Sequence, residues 1–323
     1  MTGTAAATTT TTTTTTLAPT TTSSTSTTTT TVPPPSLVWP KTGSAAFVVP
    51  QLSVAAASAS QPVVPIASLT KMMTAWVALH RLPLTSDESG ACEVVNRSDL
   101  ALYEFDEATD QSTIPIVAGQ QLCERTLLRG MLVHSAGDYA QLLVALTGMQ
   151  EATFVAAMNQ DARALGLTKT HYVDVTGIAP GDVSTAWDQA ILAADLMNGE
   201  PVVQGIVDLT QVFVPIAGIV VSYTPFVGQA NVVGVKSGYT DAAGGCDVMA
   251  VDDYIGKAVI TTYAVVLGER GDNPLGTAGV DALALSHSIR SSIARVVTPS
   301  GVQIEWIGDP SDVETSTPSP DSD

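Results

Sequence analysis

The spacing of hydrophobic and polar positions divides the chain into β-rich ends and a helical middle. Runs of apolar and β-branched residues predict strands at 45–49, 52–57, 114–116, 212–223, 232–236, 246–251 and 259–267. Apolar positions three or four apart predict helices from Ser68 to before Pro83, and at 122–132, 139–146, 151–165, 185–198 and 281–295. The rest of 86–120 is polar and is predicted to be irregular. This order indicates an α/β domain of the α+β kind, whose sheet combines N- and C-terminal segments.

The two ends of the chain have a composition that cannot form a core. Residues 1–36 are mainly Thr, Ser, Ala and Pro, and residues 308–323 are acidic and rich in Pro, Ser and Thr. Such segments bury too little apolar surface to offset the entropy of ordering. We therefore expect disordered tails at 1–36 and 308–323 around one folded domain at 37–307. The Thr-rich tail is either a glycosylated or wall-spanning stalk or a low-complexity segment without a role.

The charge of the chain argues against some classes of partner. Its 13 basic and 31 acidic residues give a formal net charge of −18, whereas nucleic acid binding needs clustered Lys and Arg. The uncharged stretches 42–70 and 209–235 are interrupted by Pro, Ser, Gln or Asn, so they are interpreted as β-structure rather than membrane spans. We therefore expect no nucleic acid partner, and membrane association is not evident.

The cysteines and histidines show no metal-ligand spacing. Cys92, Cys123 and Cys246 form no C-x-x-C pair, and the four histidines form no His-x-x-x-His pair, so no metal and no other cofactor is predicted. A Cys92–Cys123 disulfide is possible in an exported protein, but three cysteines leave the pairing open. Cys246 lies in a predicted strand and is expected to be a small core residue.

The first residues show neither the basic nor the apolar segment of a signal peptide, so an export signal is not visible in this sequence.

The clearest candidate for chemistry is a serine followed by a lysine at the start of an apolar helix. Ser68 and Lys71 are three positions apart and would therefore lie on one helix face. A serine becomes a nucleophile when a nearby base takes its proton, and a lysine becomes such a base when burial or a second cation lowers its pKa. The neighbouring Met72, Met73 and Trp76 favour that burial.

Two downstream segments hold residues that could complete a site. Lys236, Ser237 and Gly238 end a predicted strand and are followed by Tyr239. They offer a second cation, a hydroxyl donor and a position where substrate can approach the backbone closely. Ser135 lies between two predicted helices and could relay a proton.

This order of motifs resembles the serine D-alanyl-D-alanine carboxypeptidases among the low-molecular-mass penicillin-binding proteins, which share a superfamily with the serine β-lactamases. The resemblance runs over about 44–295 and includes the segments 65–75, 158–159, 164–172, 176–177, 184–186 and 234–244. It implies the DD-peptidase/serine β-lactamase fold, a mainly antiparallel sheet flanked by helices with an all-helical subregion. It also implies action outside the cytoplasm, in the cell wall or as a secreted protein.

The resemblance assigns an acylation reaction to the first two motifs. Ser68 would attack the penultimate D-alanine carbonyl of a peptidoglycan stem peptide, with Lys71 as general base. Ser135 would protonate the leaving D-alanine, and water would hydrolyse the acyl-enzyme. β-Lactams would acylate the same serine and act as inhibitors.

The third motif would bind the substrate. By the same resemblance, Lys236 and Ser237 would hold the terminal carboxylate, beside Gly238. The backbone N–H groups of Ser68 and Tyr239 would form an oxyanion hole, in which each donor contributes roughly 2.7–4 kcal/mol. The Tyr239 side chain is expected to have no role of its own.

Gly137 departs from the family pattern. The second motif of the family usually ends in an asparagine whose amide bonds both the lysine and the substrate, and Gly137 has no side chain. Losing one such hydrogen bond to a charged group costs about 1.5–3 kcal/mol. Ser237, which replaces the usual threonine, keeps the hydroxyl.

Three functions therefore stay open. The first is a D-Ala-D-Ala carboxypeptidase slowed by Gly137, and the second is a weakly active or inactive relative that binds cell-wall peptide. The third is a β-lactamase. The sequence identifies no acid positioned for fast deacylation, although Glu104 and Glu107 stay open as candidates. Asp138 is expected to cap the following helix, and His134 and His171 are expected to be structural.

Overall fold

The computed structural model describes residues 34–85, 87–298 and 301–313. The helices in the described part are α1 Thr70–Arg81, α2 Arg97–Ala108, α3 Glu124–Val133, α4 Gly137–Leu146, α5 Glu151–Ala164, α6 Ala186–Gly199, α7 Pro201–Val207 and α8 Pro274–Ser291. The strands are β1 Ser44–Val49, β2 Val54–Ala57, β3 Val64–Pro65, β4 Cys92–Val94, β5 Gln121–Cys123, β6 Val183–Ser184, β7 Gln211–Val214, β8 Gly218–Val221, β9 Val232–Thr240, β10 Gly244–Ile255, β11 Ala258–Glu269, β12 Ile293–Thr298 and β13 Gly301–Trp306. Short 3-10 turns lie at Pro50–Leu52, Ala67–Leu69 and Pro310–Asp312.

One five-stranded sheet joins the two ends of the domain. Its order is β2-β1-β11-β10-β9, and all of its pairs are antiparallel. Ser44 of β1 lies opposite Leu267 of β11, and Cys246 of β10 lies opposite Gly238 of β9. The predicted union of N- and C-terminal segments in one sheet is confirmed, and it leaves β9 at an edge.

Apolar side chains cover both faces of this sheet. Val248 and Val265 belong to a large core formed with α1 and α3–α6, while their neighbours Met249 and Val266 belong to a second core formed with α8. Successive strand residues point to opposite faces, so the continuous apolar runs of β10 and β11 fit a sheet with helices on both sides.

The antiparallel strand pair β4–β5 carries a disulfide. Cys92 lies opposite Cys123 in the strand register, and their sulfurs are bonded. The structure thus chooses one of the pairings that the sequence left open. Cys246 is fully buried in β10, as expected of a core residue.

Several predicted elements are wrong. Within the region predicted to be irregular, Arg97–Ala108 forms α2, because Asn96 and Asp99 bond each other's backbone N–H groups in a capping box. The strand predicted at 114–116 is absent from the described strands, although Ile114 is fully buried. The last helix begins seven residues earlier than predicted, after an Asn273 cap, and its predicted end forms β12 instead.

Of the predicted tails, residues 1–33 and 314–323 lie outside the described residues. The described residues 308–313 include the turn Pro310–Asp312, and Val313 packs against the core beneath α8. The division of the chain into two tails and one domain remains a prediction. In the described part of the chain, every helix is too short or too polar to span a bilayer.

Candidate active site

Ser68 and Lys71 lie where a 3-10 turn continues into α1. Ser68 is half-buried in the turn, whereas Lys71, in the first turn of α1, is only 3% exposed. Lys71 Nζ donates a hydrogen bond to Ser68 Oγ at 2.9 Å. The i, i+3 spacing therefore forms the pair predicted from the sequence.

The surroundings of Lys71 favour a partly neutral amine. Burial lowers its pKa from the usual lysine value to about 8, although the carboxylates of Asp174, Asp138 and Asp106 act in the opposite direction. At pH 7 roughly a tenth of such a lysine is unprotonated. That fraction can accept a proton from Ser68.

A backbone carbonyl holds the other side of Lys71. Its Nζ donates to Thr176 O at 2.6 Å, across 105 positions of sequence. Asp174 shapes this turn, because its carboxylate accepts the N–H groups of Thr176 and Gly177 at 2.6 Å each. These backbone hydrogen bonds outweigh burial and keep the pKa of Asp174 below its usual value.

Lys236 and Ser135 form the second polar pair. Ser135 joins α3 to α4 in the left-handed region, at φ 65°, and this conformation turns its hydroxyl toward β9. Lys236 is fully buried, and its Nζ donates to Ser135 Oγ at 2.9 Å and to Ser237 O at 2.7 Å. The Ser237 hydroxyl donates to Tyr223 O.

The charge of Lys236 is reduced by its surroundings. Burial and the nearby Lys71 lower its pKa well below the usual lysine value. Asp247 lies close by, also fully buried, and burial raises its pKa well above that of an ordinary carboxyl. The positive charge available to an anionic substrate is therefore smaller than two lysines would suggest.

The edge strand β9 closely approaches Ser68. A Cβ atom built on Gly238 would lie 2.7 Å from Ser68 N, so only glycine fits without displacement. Tyr239 is 49% exposed, and its hydroxyl donates to Asp241. This outward direction is compatible with a role for its backbone alone, which remains a prediction.

A single cleft brings the three motifs together. Its lining consists of Ser68, Lys71, Asp110, Gln111, Ser112, Ser135, Gly137, Thr176, Gly177, Ile178, Tyr239 and Thr240. Lys236 lies beneath it, connected through Ser135. The predicted site residues thus come together, and residues 110–112 and 176–178 complete the wall.

The roles predicted for the residues around Gly137 change. Asp138 is not a cap, because Ala136 holds that position; its buried carboxylate accepts the Ile114 N–H at 3.3 Å instead. Burial raises the pKa of Asp138 to about 7. His134 lies against the Tyr223 ring and His171 pairs with Val183 through its backbone, as expected of structural residues.

The sequence missed the contributions of the Thr176 carbonyl and of Gln111. A carbonyl has no residue type by which to find it, and the segment around Gln111 was predicted to be irregular. Glu104 and Glu107 are exposed on α2. Among the described residues, no group of three His, Cys, Asp or Glu side chains could hold a metal ion.

Comparison with known proteins supports the resemblance. A family described as D-alanyl-D-alanine carboxypeptidase matches residues 51–271. The D-alanyl-D-alanine carboxypeptidase DacD of Salmonella typhimurium is 32% identical over 136 residues, 42% of this chain and 35% of that protein. DacB2 of Mycobacterium tuberculosis is 31% identical over 185 residues, 55% of this chain and 59% of that protein. The chain thus spans about a third of the length of the first of these relatives.

Solved structures share the fold. Penicillin binding protein 6B from Escherichia coli has a TM-score of 0.68 at 24% identity, covering 84% of this chain and 85% of that one. The Streptomyces K15 DD-transpeptidase has a TM-score of 0.67 at 21% identity, covering 80% of this chain and 98% of that one. The predicted fold class is confirmed.

Proposed function

Because this chain belongs to the D-alanyl-D-alanine carboxypeptidase family, which matches residues 51–271, we propose that it is a serine-type D-Ala-D-Ala carboxypeptidase. The observation that supports this most is the hydrogen-bonded pair of Ser68 and a buried Lys71 with a pKa of about 8. The pair lies in the same cleft as Ser135. A nucleophile, a base and a proton relay are what acyl transfer requires.

In the proposed reaction, Ser68 becomes acylated. Neutral Lys71 takes the hydroxyl proton while Ser68 Oγ forms a bond to the carbonyl carbon of the penultimate D-alanine. The peptide C–N bond then breaks, and Ser135 relays to the leaving nitrogen the proton that Lys71 took, so that Lys71 is neutral again. Water adds to the resulting ester, which releases the shortened peptide as an acid and restores the Ser68 hydroxyl.

The edge of β9 would bind the substrate. The backbone N–H groups of Ser68 and Tyr239 would stabilise the oxyanion, and the close approach at Gly238 keeps these two segments together. Lys236 and Ser237 would bind the terminal carboxylate. The stem peptide of peptidoglycan fits this chemistry, and a β-lactam, whose ring carbonyl mimics the scissile amide, would acylate the same serine.

The proposed place of action is outside the cytoplasm, at the cell wall or in a secreted state. The Cys92–Cys123 disulfide supports it, since such bonds persist in oxidising compartments. The relatives are named D-alanyl-D-alanine carboxypeptidases, and the peptidoglycan proposed as their common kind of substrate lies outside the cytoplasm.

A second candidate is a weakly active or inactive relative that binds cell-wall peptide. The specific observation in its favour is Gly137, which leaves the second motif without its amide. For a β-lactamase, the acids named from the sequence, Glu104 and Glu107, lie exposed on α2 and offer no support.

Covalent labelling with a fluorescent penicillin tests the proposal. We expect label on the wild type and on Ser291→Ala, a matched serine on α8, but none on Ser68→Ala. The wild type and Ser291→Ala should also release D-alanine from diacetyl-L-Lys-D-Ala-D-Ala, whereas Ser68→Ala should release none. A folded wild type that takes no label would contradict the proposed enzyme and favour the peptide-binding relative, and rapid nitrocefin turnover would favour the β-lactamase.

A further inference from the structure

Gly137 leaves an open position in the wall of the cleft. A Cβ atom built on it would be in ordinary contact with its surroundings, 3.6 Å from Asp106 Oδ2 and 3.7 Å from both Gln111 Oε1 and Ser112 O. The backbone of Gly137 is outside the left-handed region. Neither the backbone conformation nor the space for a Cβ therefore requires glycine here. The reason for glycine must lie with the atoms that a longer side chain at 137 would meet beyond its Cβ.

The loop after α2 brings a carboxamide to this position. Gln111 is half-buried and lines the cleft with Ser68 and Lys71. Its Nε2 donates to Thr109 Oγ1 at 3.0 Å, so the amide nitrogen is engaged within the loop. Its Oε1 lies at Gly137, in the region that the amide of an asparagine at 137 would occupy.

Two contacts hold the loop in place. Gly137 N donates to Ser112 O at 2.8 Å, and Gln111 N donates to Asp106 O at 3.0 Å. The Asp106 side chain is 2% exposed, and its Oδ2 has no hydrogen-bond partner among the described residues. Burial raises the pKa of Asp106, while the nearby Lys71 and Gln111 act in the opposite direction. The Asp106 carboxyl group therefore lies close to Gln111 and to the Cβ position of residue 137.

We propose that Gln111 supplies, from the loop after α2, the carboxamide that the second motif lacks. Its Oε1 accepts a hydrogen bond from the backbone N–H on the acyl side of the reacting carbonyl of the substrate. This inference rests on the proposed function and deepens it, since it names the contact that keeps the peptide in register with Ser68. It also explains why residue 137 is glycine, because the amide of an asparagine at 137 and the amide of Gln111 would occupy the same space.

Four variants test the exchange of one amide for the other. For the acylation step of D-alanine release, kcat/KM should fall about threefold to tenfold in Gln111→Ala and Gln111→Met, the effect of one lost hydrogen bond. Gly137→Asn alone should also slow the reaction, because its amide crowds Gln111. The double variant Gly137→Asn/Gln111→Ala should recover to within about twofold of the wild type. Gln303→Ala, at an exposed site on β13, is the control and should leave the rate unchanged.

A substrate analogue separates binding from structural support. In a depsipeptide, an ester oxygen replaces the backbone N–H of the penultimate residue, the group that Gln111 is proposed to bind. On this substrate Gln111→Ala should not lower kcat/KM below the wild-type value. An equal loss on the peptide and the ester analogue would overturn the inference, as would a folded double variant no faster than Gln111→Ala. A wild-type rate in Gln111→Ala would overturn this inference alone, whereas an unlabelled wild type would remove the proposed function and this inference with it.

Discussion

Lys71 meets two acceptors at once, and this decides how it can act as a base. Its Nζ donates to Ser68 Oγ and to Thr176 O. When the amine is neutral, the Thr176 carbonyl still accepts one N–H, which leaves the lone pair free to face the Ser68 hydroxyl. The hydrogen bond between the two side chains then reverses, and Ser68 becomes the donor. The carbonyl thus orients the base that burial has made available.

This arrangement predicts the pH dependence of acylation. Lys71 must be unprotonated and its pKa is about 8, so the rate of penicillin acylation should rise about tenfold per pH unit below pH 8 and level off above it. Lys71→Arg should abolish labelling, because a guanidinium keeps its proton. The control Lys169→Arg, at an exposed position, should keep the wild-type profile. A rate that does not change between pH 6 and 9 would contradict a role for Lys71 as base.

At the scale of elements, the site depends on a turn rather than on a helix or strand. Residues 174–179 are shaped by the Asp174 carboxylate, which accepts three backbone N–H groups, those of Thr176, Gly177 and Ala179. Gly177 has φ 85°, and a Cβ built on it would lie 1.9 Å from Ala67 O. The turn therefore packs directly against the backbone beside Ser68 and carries the Thr176 carbonyl to Lys71.

Gly177→Ala should separate these segments. The methyl group cannot fit against Ala67 O, so we expect the turn to move and penicillin labelling to fall by at least tenfold, with a lower melting temperature. Gly166→Ala is the matched control. Gly166 also has positive φ, 74°, but a Cβ built on it meets no atom within 4 Å. The variant should therefore cost about 1–2 kcal/mol of stability through backbone strain and leave labelling intact. Equal labelling of both variants would show that the turn does not position Lys71.

At the scale of the whole molecule, an acidic chain buries several of its carboxyl groups. Burial raises the pKa of Asp182 to about 8, and it raises the pKa of Glu124 and Asp138 to about 7. Asp182 is fully buried and accepts the Val173 N–H beside Asp174. The folded chain therefore holds protons at neutral pH that the unfolded chain, with ordinary carboxyl pKa values near 4, releases.

The stability of the fold should accordingly fall as pH rises. Between about pH 4 and pH 8 these carboxyl groups, together with Asp247, bind more protons in the folded than in the unfolded state. They outnumber the two buried lysines, Lys71 and Lys236, which act in the opposite direction, so the free energy of unfolding decreases with pH. The urea midpoint should be higher at pH 5 than at pH 8. Asp182→Asn, which mimics the protonated acid, should raise the midpoint at both pH values, and by more at pH 8 than at pH 5. Asp272→Asn, at an exposed carboxyl, should change neither, and a midpoint that rises from pH 5 to pH 8 would contradict the argument.

The sequence by itself determined the features that depend on local periodicity. The Ser68–Lys71 pair follows from helix spacing, and the core strands β10 and β11 follow from their apolar runs. Helix α2 was not predicted because its apolar residues do not form one stripe. Leu100 and Tyr103 pack partly buried against the core, whereas Leu102 and Phe105 are exposed. The capping box of α2, Asn96 with Asp99, was the one local signal.

Only the tertiary structure decided which atoms meet in the cleft. The Thr176 carbonyl reaches Lys71 across 105 positions, and Lys236 reaches Ser135 across 101. Gln111 lies next to Gly137 because the loop after α2 packs against the start of α4. Nothing in the composition of these two segments predicts that they meet. Such contacts depend on how whole elements pack and on backbone atoms common to every residue. Residue types and local spacing therefore predicted the reactive groups, while packing decided which neighbours tune them.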